Sequence, residues 1–183
     1  PKSNLASMGI YIFSYDVLKK YLTEAEEHET DFGKHIIPKM LNNKLRMFTY
    51  VFDGYWKDVG TITSLWEANM DLLNENNELN KLRNWKIFSQ DTFSHSQLIG
   101  ANSRVNNSIV SNGCIVEGEV SSSILFNDVV VAKNAVVKDS ILLPGVIVED
   151  GARVYKAIVN ENYVIEKSEV INEEQQEIIL VSE

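Results

Sequence analysis

The chain has 183 residues, with 17 lysines and arginines against 26 aspartates and glutamates, and a net charge of −9. That length permits one domain or two small ones, and an apolar content of 44% excludes global disorder. The acidic balance argues against a nucleic-acid phosphate binder, no apolar run reaches the ~20 residues of a membrane helix, and a lone Cys114 excludes a disulfide framework and a cysteine zinc site.

Leu5 to Phe13 is a nearly continuous apolar run, the pattern of a strand covered on both faces. Ser14 is placed to cap a helix that carries Leu18, Tyr21, Leu22 and Ala25 on one stripe. Glu24 to Asp31 is acidic and polar and reads as a solvated loop. A second helical pattern groups Phe32, Ile36 and Met40 with Ile37 and Leu41. Asp31 stands before it as a side-chain cap, and Pro38 inside it predicts a kink or a fresh start. Asp31-Phe32-Gly33 is not a kinase motif, because no catalytic loop or Gly-rich loop accompanies it. Leu45 to Phe52, rich in aromatic and β-branched residues, reads as a strand.

Gly54 to Thr61 then sets Tyr55, Trp56, Lys57 and Asp58 between glycines. Thr61 or Ser64 caps the next helix, with Ile62, Leu65, Trp66, Leu72 and Leu73 inward. Ser64 with Glu67 makes a capping box. Asn74 to Asn84 is polar and reads as helix tail and linker.

The texture changes from Gly100 onward. Ile109, Ile124, Ile141 and Ile158 each follow a Ser or Ala and recur at separations of 15, 17 and 17 (109 to 124, 124 to 141, 141 to 158). Ile115, Val130, Ile147 and Val164 repeat those separations, and Val120, Val137, Val154 and Ile171 stand 17 apart. Within one period the anchors Val131, Val137, Leu142 and Val148 step by 6, 5 and 6. A step near six is too long for a helix turn. It fits short strands joined by tight turns, three per coil, wound as a parallel β-helix. Gly118, Asn134 and Gly151 fall between strands, where turns need unusual backbone angles. Cys114 falls on the inward register as a small hydrophobe. The competing arrangement, a β-sandwich, does not call for such even spacing. This segment resembles the hexapeptide-repeat left-handed β-helix, and the resemblance alone implies the handedness.

No two glycines are closer than five residues, so no Gly-rich phosphate loop is present. Four stretches occur in order: Leu5-Ala6-Ser7-Met8-Gly9-Ile10-Tyr11, Asp31-Phe32-Gly33-Lys34, Gly54-Tyr55-Trp56-Lys57-Asp58-Val59-Gly60-Thr61, and Trp66 to Leu73. Together with a β-helix ending in Ile178-Ile179-Leu180-Val181, they resemble the bacterial ADP-glucose pyrophosphorylases (glucose-1-phosphate adenylyltransferases). The resemblance implies an α/β fragment followed by the left-handed β-helix. Residues 1–75 are the C-terminal portion of a Rossmann-like nucleotidyltransferase domain, 76–97 a linker and 98–183 the β-helix. It implies that the family's Gly-rich loop, first metal-binding aspartate and sugar-phosphate lysine precede Pro1, so the chain alone is expected to be inactive.

In the parent reaction, ATP and glucose 1-phosphate give ADP-glucose for glycogen synthesis. Mg²⁺ takes one or two carboxylates plus phosphate oxygens, and the resemblance points to Asp58 as one of them. The alternative for Asp58 is a local cap on the following helix. The resemblance makes Ser7 a glucose-1-phosphate contact, where the bare sequence favours a serine bonded to its own backbone. Trp56 either walls the sugar site or packs beneath the turn. No residue in the chain is assigned a catalytic role. Arg83, Lys86 and Arg104 are basic candidates for contacts with sugar-phosphate effectors.

A hexapeptide acyltransferase is the alternative enzyme, but residues 100–183 hold no histidine to serve as its base. A non-catalytic assembly or regulatory module is the other alternative. His28, His35 and His95 lack ligand spacing. The exposed ends of a β-helix suggest self-association, as a homo- or hetero-tetramer in the parent. No basic-then-apolar leader opens the sequence, and a cytoplasmic setting is expected, without nucleic-acid or membrane partners.

Overall fold

The computed structural model describes residues 5–81, 88 and 93–182. By compactness the chain divides into two units, Pro1–Asp53 and Gly54–Glu183. No helix among the described residues is long and apolar enough to cross a membrane.

The first unit is helical. Helix α1, Tyr15–Thr23, begins after Ser14, whose side chain makes no capping bond. A π-helical turn, Phe32–Ile36, leads into α2, Ile37–Asn42, with Pro38 in its first turn. The proline gives the fresh start expected of it, because its missing N–H costs nothing there. Asp31 caps the turn through a 2.7 Å bond to the Lys34 N–H. Tyr21, Ile36 and Met40 form a small core, with Phe13, Val17, Ala25, Phe32 and Leu45 packed against it.

The two strands expected in this unit are not formed. Residues 5–13 and 45–52 are extended or irregular, and no ladder pairs them among the described residues. Apart from Phe13 and Leu45, which reach the small core, most of their large apolar side chains are exposed, with Ile12 99% exposed and Tyr50 89%. A strand is defined by a neighbouring strand, and among the described residues no sheet includes either run.

The second unit opens with the 54–60 turn and α3, Ile62–Met70, which continues as a 3₁₀ turn, Asp71–Leu73. Thr61 is the N-cap. Its hydroxyl takes the Ser64 N–H, while the Ser64 hydroxyl takes the Thr61 N–H. The capping-box partner is therefore Ser64 and not Glu67, because the short hydroxyl sits at the third helical position. Ile62 and Leu65, expected inward, are 44% and 42% exposed.

From Leu98 the chain winds into a parallel β-helix with three five-stranded sheets. Ile115↔Val130↔Ile147↔Val164 stack on the first face, Val120↔Val137↔Val154↔Ile171 on the second, and Ile109↔Ile124↔Ile141↔Ile158 on the third. These are the columns the sequence spacing predicts. Adjacent residues of a strand point to opposite sides. One set therefore points inward: Val116, Val131 and Val148, then Val120, Val137 and Val154, then Leu125, Leu142 and Val159, all fully buried. Each such side chain contributes ~1.5–3 kcal/mol of transfer free energy. Cys114 joins this core with no exposed surface.

The corners follow from the backbone. Asn107, Ser122, Asp139 and Lys156 repeat one left-handed corner, with φ of 43°, 45°, 50° and 44°. Asn134 and Gly151 are also left-handed, at φ 60° and 75°. Gly118 is not, contrary to the expectation for it. Its reason is space, since a Cβ there would meet the Ala135 and Ala132 carbonyl oxygens at 2.5 and 2.6 Å.

After the 107/122/139 corner, a serine ladder runs along the solenoid. Ser123, Ser140 and Ala157 each donate their N–H to the hydroxyl of the residue one coil back, at 3.1, 3.1 and 3.2 Å. The Ser140 hydroxyl donates in turn to the Lys138 carbonyl at 2.7 Å. Ser140 is fully buried. Ser140→Ala is expected to lower stability by about 1–3 kcal/mol, because it strips the acceptor from the buried Ala157 N–H. A denaturant midpoint that does not fall, at unchanged slope, would show the ladder to be dispensable.

Candidate functional site

The 54–60 turn holds two of the residues singled out from sequence. Burial alternates along it: Tyr55 and Lys57 are half-buried, Trp56 and Asp58 exposed. This is the period of an extended segment, with alternate side chains on opposite sides.

The buried side is fully partnered. The Tyr55 hydroxyl donates to Asp71 Oδ2 at 2.9 Å. Lys57 Nζ pairs with Glu67 Oε2 at 3.0 Å and Asp71 Oδ2 at 3.4 Å. The Tyr55 N–H donates to Glu78 Oε2 at 2.9 Å. Asn77, buried, donates to the Asp71 carbonyl at 3.0 Å and accepts from the Leu79 N–H at 2.8 Å. Residues 74–79 thus fold back onto the turn. Lys57 is an internal counter-ion here.

The open side carries Trp56, 47% exposed, and Asp58. Trp56 does not pack beneath the turn. Asp58 Oδ1 accepts from the Gly60 N–H at 3.3 Å. The helix cap is Thr61, so Asp58 is not the cap. Asp58 remains exposed. One exposed carboxylate suits a hard cation that takes its remaining ligands from phosphate oxygens. No cluster of three or more metal-ligating side chains occurs among the described residues.

Ser7 belongs to the first unit. Its hydroxyl accepts from the Gly9 N–H at 3.2 Å and shares a 2.9 Å bond with the Tyr11 hydroxyl. It therefore closes a local turn of the kind serines make with their own backbone, while remaining exposed.

Of the effector candidates, Arg83 and Lys86 lie outside the described residues. Arg104 lines an open groove of about 510 Å³ on the β-helix, with Glu117, Glu119 and Lys133. Lys133 lies 3.9 Å from Glu117. Two carboxylates beside two cations make this a mixed surface and a poor anion cradle.

Two features escaped the sequence reading. Glu67 and Asp71 stand four apart and so share one side of the helical segment, a spacing that pointed to a cation between them. The Trp66 indole N–H donates to the Asp139 carbonyl at 2.8 Å, fastening α3 to a corner of the β-helix. No local pattern carries that bond.

Residues 1–75 match the family model described as nucleotidyl transferase, and residues 92–178 that described as GlmU-like, C-terminal hexapeptide. The chain thus joins a segment similar to the nucleotidyl transferases to a β-helix similar to the hexapeptide-repeat domains. Its relatives are more particular. It is 58% identical to the glucose-1-phosphate adenylyltransferase of Clostridium beijerinckii over 145 residues, 77% of this chain and 38% of that protein. It is 42% identical to that of Bacillus cereus over 189 aligned positions, 100% of this chain and 50% of the relative. The chain is similar over its whole length to the glucose-1-phosphate adenylyltransferases, and it spans about half the length of the curated relatives it matches.

The pH response of the turn follows from its buried side. Lys57 is raised above its ordinary 10.5, foremost by its hydrogen bond to Glu67 and then by Asp71. Tyr55 is raised above 10.0, foremost by desolvation and then by its bond to Asp71. A group whose pKa is raised on folding stabilises fully below its unfolded value and loses that contribution as pH rises through the folded one. The turn is therefore expected to hold from neutral pH up to about 10 and to loosen above it. The indole NMR signal of Trp56 should stay fixed across the first range and move in the second. Movement between pH 6 and 9 would contradict the assignment.

Proposed function

We propose that this chain is the C-terminal half of a glucose-1-phosphate adenylyltransferase, which converts ATP and glucose 1-phosphate to ADP-glucose and diphosphate for glycogen synthesis in the cytoplasm. Residues 1–75 then close the catalytic domain, 76–97 link, and 98–183 form the left-handed β-helix. The observation that carries the reading is the 54–60 turn, where Asp58 is presented outward while the neighbouring lysine is neutralised within the fold.

In that reaction a phosphate oxygen of glucose 1-phosphate attacks the α-phosphorus of ATP, and diphosphate leaves. Positioning and charge neutralisation do most of the work. Asp58 would hold a Mg²⁺, which supplies positive charge beside the phosphates. Ser7 would release its local bonds or share them with the sugar phosphate, and Trp56 would wall the sugar. The β-helix would serve assembly, as a homo- or hetero-tetramer, and sugar-phosphate effectors would act on the assembled enzyme.

Asp58→Asn, in an enzyme that carries this chain at the full length of its relatives, is expected to lower kcat by about 10²-fold or more. Ser7→Ala is expected to raise KM for glucose 1-phosphate about tenfold, the loss of one good hydrogen bond. Normal kinetics in both variants would remove these assignments. The 183-residue chain alone is expected to give no ADP-glucose from ATP, Mg²⁺ and glucose 1-phosphate. Turnover by the purified chain would refute the reading of it as half an enzyme.

A further inference from the structure

The geometry points to Asp71 as a positioning residue that decides which side of the 54–60 turn Asp58 faces. The inference rests on the reading of Asp58 as a cation-holding carboxylate.

Asp71 Oδ2 is the one atom shared by both buried side chains of the turn, Tyr55 at 2.9 Å and Lys57 at 3.4 Å. Residues 55 and 57 point one way, so 56 and 58 must point the other. Holding Tyr55 and Lys57 onto the α3 segment therefore sends Trp56 and Asp58 outward together. A slip of one residue would bury Asp58 beside Glu67 and Asp71, and present Lys57 to the phosphates in its place. Like charges penalise that slip, while the Lys57–carboxylate pairs reward the observed register. The far end of the clamp is also held, since Trp66 ties α3 to the β-helix at Asp139. Asp71 touches no part of the open side. Its role is exerted through Tyr55 and Lys57.

The test uses amide hydrogen exchange and magnesium dependence in the enzyme at the full length of its relatives. In Asp71→Ala, exchange across residues 54–60 is expected to rise about tenfold or more, with the β-helix amides of 98–182 unchanged. The magnesium concentration for half-maximal activity should rise several-fold, while KM for glucose 1-phosphate stays within about twofold. Tyr55→Phe should show a smaller change of the same kind. Lys57→Arg, which keeps both carboxylate partners, should retain the parent values where Lys57→Met does not. Unchanged exchange at 54–60 in Asp71→Ala, or faster exchange with an unchanged magnesium requirement, overturns the positioning role. Asp58→Asn measured alongside separates the two ideas. If its magnesium requirement is normal, the reading of Asp58 itself falls. If Asp58→Asn is impaired and Asp71→Ala is not, only the positioning role falls.

Discussion

The β-helix depends on parallel stacking of one coil upon the next. Its strands are two or three residues long, and such pieces have no stability alone. Each becomes a strand only because the coil before and the coil after accept and donate its backbone bonds. The aliphatic columns make that stacking favourable, because every coil adds inward apolar residues from each face to a continuous dry interior. The corners must then repeat as faithfully as the strands. This is why Asn, Asp, Ser and even Lys accept left-handed angles in line with one another. The local strain of a left-handed L-residue, about 1–2 kcal/mol, is offset by the register it preserves.

The same stacking explains what is attached to it. Ile124, Ile141 and Ile158 point out of the third face yet are 4%, 1% and 2% exposed. Trp66 of α3 binds the corner that leads into this face. Outward columns on the first face stay open, with Ile115, Ile147 and Val164 each close to 39% exposed. The solenoid therefore gives α3 a fixed anchor at Asp139, and the α3 segment gives the 54–60 turn its carboxylate partners. Order passes from the coils to the helix to the turn through named bonds, and the exposed carboxylate of Asp58 is its last element.

What was legible in the sequence is what repeats or what is local. The columns could be read because parallel coils impose one period on every face. Cys114, Pro38, Asp31 and Thr61 could be read because inward register, missing donors and caps act over a few residues. Residues 5–13 and 45–52 carry a strand pattern without forming strands, since an apolar run states a preference for cover but does not supply a neighbouring strand. Gly118 was assigned to a backbone angle when its reason is two carbonyls from the next coil. At the site, the Gly54–Thr61 turn stood out by composition. Its clamp did not, because Tyr55, Lys57, Glu67, Asp71 and Glu78 meet only after the helix folds back. Trp66 and Asp139, 73 residues apart, lie beyond any local reading.

The closing strand departs from the beat of the others. Ile158 pairs with Leu180, a step of 22 residues (158 to 180) where the preceding step is 17 (141 to 158). The surplus is gathered at a single corner, where Lys156 Nζ donates to the Gln176 carbonyl at 2.9 Å and Asn172 Nδ2 to the Glu177 carbonyl at 2.8 Å. A fold of this kind treats chain length as a quantised variable. Whole turns can be gained or lost without disturbing the interior, extra residues can bulge outward at a vertex, and a lone insertion within a rung would turn its aliphatic side chains to water. Families built on such a scaffold can lengthen their reach by duplication while the attached segments remain untouched.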